Sequence, residues 1–183
     1  MGQIIGLSGS LRRGSFNTAM LRAASTLMPE GSELSVRTIH GIPLYDGDVE
    51  ATEGIPPAVA DLKDAIAASN GLILATPEYN HSMPGVFKNA IDWLSRPPAD
   101  IPRVFTGKPV ALLGATPGGF GTILSQEAWL PVLRRLGMRL WSEGSLHVPH
   151  ANNVFDSTGA IVDPKIRERL EQFVREFTRF CDA

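Results

Sequence analysis

The chain is poor in cysteine and has no long apolar run. Its 183 residues contain one cysteine, Cys181, which excludes an internal disulfide and favours a reducing compartment. No uninterrupted apolar stretch approaches the roughly 18 residues of a membrane-spanning helix, and no basic segment precedes the first apolar run. We therefore expect a cytoplasmic protein without a membrane partner.

An excess of charge and several well-known motifs are also missing. Lys and Arg total 17 against 19 Asp and Glu, a net charge of −2, so no nucleic-acid partner is expected and any anion must be held locally. The chain has neither a G-x-x-x-x-G-K-S/T loop nor a G-x-G-x-x-G fingerprint, and it lacks the G-x-S-x-G elbow of hydrolases. His147 and His150 lie three residues apart without further candidate ligands, so no metal site is predicted.

What the sequence does contain is an alternation of strand and helix patterns. Apolar or alternating runs predict strands at 3–7, 33–39, 71–76, 109–115 and 139–148. Helical periodicity predicts helices from residue 16, at 58–69, 86–94 and 122–136, with Pro131 kinking or splitting the last, and from Pro164 onward, while 41–57 is expected to be a loop. This order indicates one domain over residues 1–183, an α/β fold with five parallel strands and helices on both faces.

In such sheets ligands bind at the carboxyl ends of the strands. Loops 8–15, 77–85 and 116–121 leave those ends, so we expect them to form one crevice. The first has the chemistry of a phosphate cradle, because Ser10, Ser15 and Asn17 are hydrogen-bond donors beside Arg12 at a helix start. Alternatively, Ser15 or Asn17 caps the helix. A hydroxyl-rich loop without lysine suits flavin mononucleotide (FMN) better than ATP.

The second loop, Thr76-Pro77-Glu78-Tyr79-Asn80, is suited to a flavin ring, which needs a flat partner and donors along its polar edge. Tyr79 is expected to stack on or flank the ring, and backbone N–H groups of residues 78–80 to reach its polar edge. The Glu78 side chain either orients the loop or contacts the pyrimidine side.

These segments resemble the NAD(P)H-dependent FMN reductases, a family with chromate-, azo- and quinone-reducing members. The resemblance covers nearly the whole chain and rests on Gly9-Ser10-Leu11-Arg12 with Ser15 and Asn17, on Thr76-Pro77-Glu78-Tyr79-Asn80, and on Pro84-Gly85 with Lys88-Asn89-Ala90-Ile91-Asp92-Trp93. It implies a flavodoxin-like three-layer sandwich and a homodimer or homotetramer, with helix 86–94 at a dimer interface.

The resemblance also implies a cofactor site in three parts. The residues expected to bind FMN are Ser10, Leu11, Arg12, Ser15, Phe16, Asn17, Pro77, Glu78, Tyr79, Asn80, Ala115, Thr116 and Gly118. The first six surround the phosphate, the next four flank the isoalloxazine, and the last three belong to a second flavin-edge loop. Residues 122–131 depart from the family's pattern, which leaves the acceptor and the subunit contacts open.

The implied activity is hydride transfer from NADPH or NADH through FMN to a small acceptor such as a quinone, flavin, azo compound or metal oxyanion like chromate. The cofactor carries this chemistry, so no catalytic side chain is predicted, although Tyr79 and His81 are candidates to tune it or supply protons. The alternative is a flavodoxin-like electron carrier. Such carriers tend to be strongly acidic so that they dock on basic partners, and a net charge of −2 gives this alternative little support. A third class is a flavin-free sensing or interaction module, because a fold does not fix a function.

Overall fold

The computed structural model describes residues 2–183, which are organised around one parallel sheet. Its strands are β1 (Gly2–Ser8), β2 (Ser32–Thr38), β3 (Gly71–Ala75), β4 (Pro109–Ala115), β5 (Arg139–Leu140) and β6 (Leu146–Val148). They follow the order β2-β1-β3-β4-β5, with β6 also beside β4, and every pairing is parallel. The positions of the first four predicted strands and the parallel arrangement are confirmed.

The helices are α1 (Phe16–Ser25), α2 (Gly47–Glu53), α3 (Pro57–Ala68), α4 (Gly85–Leu94), α5 (Ile101–Val104), α6 (Ile123–Arg135), α7 (Ala151–Val154) and α8 (Pro164–Asp182), with a 3-10 turn at Pro98–Asp100. Three of them are capped by the residue that directly precedes the helix, because Ser15, Asp46 and Asp163 accept hydrogen bonds from backbone N–H groups of the first turn. None of the helices within residues 2–183 is long and apolar enough to cross a bilayer.

The sheet separates two apolar cores, which makes the fold a three-layer sandwich. Helices α1 and α8 cover one face, where Met20, Phe173 and Phe177 are buried. Helices α3, α4 and α6 cover the other, where Phe87 and Trp129 are buried. Every residue of β3 and β4 is buried, as expected for central strands covered on both sides.

Two predictions about single elements, the loop 41–57 and the undivided fifth strand, are wrong, and of the two alternatives for Pro131 the splitting of the helix does not occur. Part of the expected loop 41–57 is helix α2, which buries no residue and so has no apolar periodicity to reveal it. Helix α6 continues through Pro131 without being split. Pro131 is exposed, so water can satisfy the carbonyl group that loses its N–H partner.

The predicted fifth strand is divided into β5 and β6. Between them Trp141 turns into the core beside α8, with its ring centroid 5.2 Å from that of Phe173 and 5.7 Å from that of Phe177. Gly144 lies so close to this indole that a Cβ there would stand 2.2 Å from its Cη2 atom. The Trp141 N–H still donates to the Val110 carbonyl of β4 at 2.9 Å, and residues 142–145 after it form no strand.

Candidate functional site

The three predicted loops meet at the carboxyl ends of β1, β3 and β4, which are neighbours in the sheet. They enclose a small cavity of about 110 Å³. Its lining consists of Ser10, Arg12, Ser15, Phe16, Asn17, Pro77, Glu78, Tyr79, Ala115, Thr116 and Pro117. Ten of the thirteen predicted residues are in this set; Leu11, Asn80 and Gly118 are not, and Pro117 was not predicted.

The first loop presents free backbone donors to this cavity. The Ser15 side chain caps α1 by accepting a hydrogen bond from the Thr18 N–H at 3.2 Å, and the Ser15 carbonyl accepts one from the Ala19 N–H at 2.9 Å. Within residues 2–183 the N–H groups of Phe16 and Asn17, at the start of the helix, have no protein acceptor. The alternative of helix capping thus describes the Ser15 hydroxyl, and it leaves two N–H groups of the first turn without a protein acceptor, as is usual at a helix N-terminus.

Asn17 connects the first loop to the third. Its Nδ2 donates to the Ala115 carbonyl and its Oδ1 accepts from the Ala115 N–H, both at 3.0 Å, and the residue is buried. This use of the amide was not predicted, because its partner lies 98 residues away. One Nδ2 hydrogen remains for a ligand.

Buried contacts fix the points at which the first two loops leave the sheet. The Gly9 N–H donates to the Ala75 carbonyl at 2.9 Å, and a Cβ on Gly9 would stand 2.0 Å from a ring atom of the buried Phe87. At the second loop, the Thr76 hydroxyl lies 2.7 Å from the Ser125 hydroxyl and accepts from the Trp129 indole N–H at 3.0 Å. Both loops therefore begin at fixed positions.

Glu78 caps helix α6 from a distance in sequence. Its Oε2 accepts hydrogen bonds from the N–H groups of Leu124 at 3.0 Å and Ser125 at 3.1 Å, and its side chain is only 9% exposed. The negative charge of the carboxylate is also stabilised by the positive end of the helix dipole. Of the two predicted roles, orienting the loop is the one that these contacts describe.

The tip of the second loop is a tight turn. Tyr79 and Ser82 exchange two backbone hydrogen bonds of 3.0 Å, and the residues between them, Asn80 and His81, have φ values of 50° and 61°. Two successive positive φ values are typical of a type I′ turn. The turn leaves the Tyr79 side chain 47% exposed at the mouth of the cavity.

The third loop is held by residues that sequence reasoning did not assign to the site. The His150 N–H donates to the Gly118 carbonyl and the Ala151 N–H to the Thr116 carbonyl, both at 3.0 Å. His150 and the buried Thr122 both have positive φ, 51° and 69°, and non-glycine residues in this region are uncommon. Such strain is frequent at functional sites.

The two histidines of the third-loop region do not form a metal site with other side chains. Among residues 2–183 no group of three or more His, Cys, Asp or Glu side chains is placed to hold a metal ion. The His147 Nε2 lies 3.0 Å from the Ser145 hydroxyl. Burial, and then the charge of Arg169, lower the pKa of His147, so its neutral form predominates at neutral pH.

A larger groove of about 430 Å³ lies elsewhere, between α4 and α6. It includes Lys88 and Asp92, whose ammonium and carboxylate groups are 2.7 Å apart, and none of the thirteen predicted cofactor residues. Size alone would select this groove, but the free N–H groups and the strained turns lie at the smaller cavity. The smaller cavity, and not this groove, therefore contains the residues that the sequence predicts for the cofactor.

The comparisons with known proteins agree with this geometry. The chain is 45% identical over 170 residues to an NAD(P)H-dependent FMN reductase of Pseudomonas aeruginosa, covering 93% of this chain and 90% of the relative. It is 37% identical to a 2-hydroxy-1,4-benzoquinone reductase of a Burkholderia species, covering 92% and 90%.

Structure and family profile lead to the same conclusion. The flavoenzyme FerB of Paracoccus denitrificans, an NAD(P)H:acceptor oxidoreductase, superposes with a TM-score of 0.87 at 31% identity, covering 100% of this chain and 98% of FerB. The fold is flavodoxin-like, as expected. The family profile described as NADPH-dependent FMN reductase matches residues 3–153, and the chain belongs to this family.

Proposed function

We propose that this protein is an FMN-dependent oxidoreductase that oxidises NAD(P)H and reduces a small acceptor, with a quinone as its preferred class. The observation that carries this proposal is that Phe16 and Asn17, whose N–H groups have no protein acceptor within residues 2–183, line the same cavity as Tyr79. The relatives named as an FMN reductase and as a benzoquinone reductase support both halves of the reaction.

The donor set fits a flavin monophosphate. Four groups would hold the phosphate: the N–H groups of Phe16 and Asn17, the Ser10 hydroxyl and the Arg12 guanidinium. A helix N-terminus and a guanidinium group both stabilise a bound dianion. Leu11 would flank this seat. The hydroxyl of Ser15 can donate its own hydrogen to the phosphate while its oxygen caps α1.

The ring would lie between the second and third loops. Residues 77–80 would flank the isoalloxazine, while Ala115, Thr116 and Gly118 would line its other edge with backbone and small side chains. Bound FMN supplies the redox chemistry, accepting a hydride from NAD(P)H and delivering two electrons to the acceptor. The protein's role is to bind, orient and shield, so no side chain is required as a general acid or base.

Tyr79 and His81 are the groups near this ring seat that can donate a proton. His81 Nδ1 lies 3.8 Å from Glu78 Oε1, and both aromatic side chains are largely exposed. Steady-state rates of Tyr79→Phe and His81→Ala with a quinone test this role. Unchanged rates in both variants would assign proton delivery to water.

An anaerobic NADPH titration tests the proposed function. We expect purified protein loaded with FMN to lose its flavin absorbance near 450 nm on adding one equivalent of NADPH, and to recover it on adding a quinone. An electron carrier would keep its colour with NADPH until a separate reductase is added. A flavin-free module would stay colourless after incubation with FMN.

We further propose a homodimer or homotetramer in a reducing, cytoplasmic setting. The groove between α4 and α6 lies at the helix that resembles the family's dimer helix, and the apolar residues of its lining include the exposed Pro131 and the half-buried Val132. Native mass spectrometry measures the subunit number. A monomer at micromolar concentration would contradict the proposal.

A further inference from the structure

The exposed apolar side chains of this protein are concentrated beside the cofactor cavity. Eight large hydrophobic residues are exposed within residues 2–183, and five of them belong to the three loops or to the first turn of α6. These five are Leu11, Tyr79, Phe120, Ile123 and Leu124. Contiguous exposed apolar surface in a soluble domain marks a binding site more often than scattered residues do.

Phe120 is the most exposed of the five, at 60%, and its loop is held at both ends. On one side the carbonyls of Thr116 and Gly118 accept the hydrogen bonds from α7 described above. On the other side Gly121, with φ of 60°, packs so closely that a Cβ there would stand 3.0 Å from backbone atoms of His147. Phe120 is therefore presented to solvent from an anchored loop.

His81 contacts Phe120 across the mouth of the crevice. Their ring centroids are 5.8 Å apart and their planes meet at 80°, an edge-to-face arrangement that aromatic pairs favour. Tyr79 and His81 belong to the same tight turn of the second loop, and Phe120 belongs to the third loop. The two loops together therefore present three rings. We name Tyr79, His81 and Phe120 the aromatic rim.

Glu78 fixes the rim relative to α6. Its hydrogen bonds to the N–H groups of Leu124 and Ser125 tie the residue before Tyr79 to the first turn of the helix that follows Phe120. Both walls of the rim are thus joined by contacts within the chain. A ligand seated between them meets a preformed apolar surface.

We propose that the aromatic rim, and Phe120 above all, determines acceptor specificity by selecting planar ring compounds over compact or strongly hydrated acceptors. This inference rests on the proposed function and names the residue that sets its acceptor preference. A flat apolar acceptor gains by covering these rings, whereas a hydrated anion gains nothing from them. In the step concerned, a quinone receives a hydride equivalent from the reduced cofactor and a proton from solvent, which gives the hydroquinone and restores the oxidised cofactor.

The test separates acceptor reduction from the reaction with NADPH. FMN-loaded protein is reduced anaerobically with one equivalent of NADPH and mixed in a stopped-flow instrument with 2-methyl-1,4-naphthoquinone or with ferricyanide. For Phe120→Ala we expect the second-order rate constant to fall about tenfold with the naphthoquinone, equivalent to ~1.4 kcal/mol, and less than twofold with ferricyanide. Phe120→Tyr, which keeps the ring, should restore the naphthoquinone rate.

Binding gives a second readout that does not depend on turnover. Titration of the oxidised protein with the naphthoquinone should give a Kd about tenfold higher for Phe120→Ala than for the unmodified protein, equivalent to ~1.4 kcal/mol. Val162→Ala is the matched control, because Val162 is 58% exposed and belongs neither to the three loops nor to α6. This variant should change neither rate constant nor Kd.

Three results would overturn the inference: equal slowing with both acceptors, no change with either, or a change in subunit number in Phe120→Ala by native mass spectrometry. The last would assign the rim to a contact between copies of the chain. Failure of NADPH to reduce the unmodified protein would instead contradict the proposed function, so the two failures are distinguishable.

Discussion

The Asn17 side chain and the Ala115 backbone form a closed pair of hydrogen bonds, each 3.0 Å long, across the carboxyl edge of the sheet. This pair joins the start of α1 to the end of β4, two segments that border the same cavity. The amide satisfies both backbone groups of Ala115 where β4 leaves the sheet. The geometry of the cavity at the start of α1 therefore depends on a contact with another loop.

Replacing Asn17 with Ala should destabilise the protein and loosen the site. Both backbone groups of Ala115 would lose their buried partners, so we expect a loss of about 2 kcal/mol and a melting temperature lower by ~4–8 °C. Asn70→Asp is the control, because Asn70 also bonds a backbone N–H, that of Gln3, through its Oδ1 atom, which Asp retains. An Asn17→Ala protein with the same melting temperature as the unmodified protein would contradict this account.

Arg12 and Arg13 provide a matched pair for the phosphate seat. Both are exposed, but only Arg12 lines the cavity. We expect Arg12→Ala to raise the Kd for FMN by about ten- to a hundredfold, because a charge-assisted hydrogen bond to the phosphate is worth ~1.5–3 kcal/mol, and Arg13→Ala to leave it unchanged. Flavin fluorescence titration measures both, and riboflavin, which lacks the phosphate, should bind equally to all three proteins. A loss of riboflavin affinity in Arg12→Ala would assign Arg12 to the ring instead.

Gly9 and Gly14 lie in the same loop but have different surroundings. A Cβ on Gly9 would collide with the buried Phe87 ring, whereas a Cβ on Gly14 would have no atom within 4 Å. Gly9→Ala should therefore cost about 1–3 kcal/mol through overpacking, and Gly14→Ala should be neutral or slightly stabilising. Urea unfolding of the FMN-free proteins measures the difference, and equal stability of the two variants would refute it.

Glu78→Ala should free the N-terminus of α6. Two N–H groups would lose their acceptor, so we expect a loss of about 1 kcal/mol and faster hydrogen exchange at the amides of Leu124 and Ser125. Glu78→Gln keeps an acceptor oxygen without the charge and should retain most of the protection. If exchange at these amides is the same in all three proteins, Glu78 does not cap the helix in solution.

Alkaline pH should destabilise the protein through Cys181. Burial, with a smaller contribution from the charge of Asp182, raises the pKa of this thiol from 9.0 to about 12. Above pH 9 the unfolded chain releases the proton and the folded chain keeps it, so the stability is fully present below pH 9 and is lost as the pH rises toward 12. Urea midpoints at pH 8 and pH 10 should differ less for Cys181→Ala than for the unmodified protein. An identical pH dependence would contradict the raised pKa.

Much of the fold follows from local sequence. The runs that became β3 and β4 are apolar throughout because both faces of these strands are covered, and such runs have few alternative conformations. Helix α2 was not predicted, because it buries no residue and its sequence therefore has no apolar periodicity. The division of the fifth strand depends on where Trp141 packs, and its partners Phe173 and Phe177 lie in the last helix.

The sequence by itself determined the succession of strands and helices along the chain and the three loops that leave the carboxyl ends of the strands, because these depend on neighbours within a few residues. Tertiary structure alone decided that the Asn17 amide joins two loops, that Glu78 caps α6, and that His81 meets Phe120. Each of these pairs is distant in the chain. A hydrogen bond or ring contact between distant residues leaves no periodicity in the sequence, so only the folded chain reveals it.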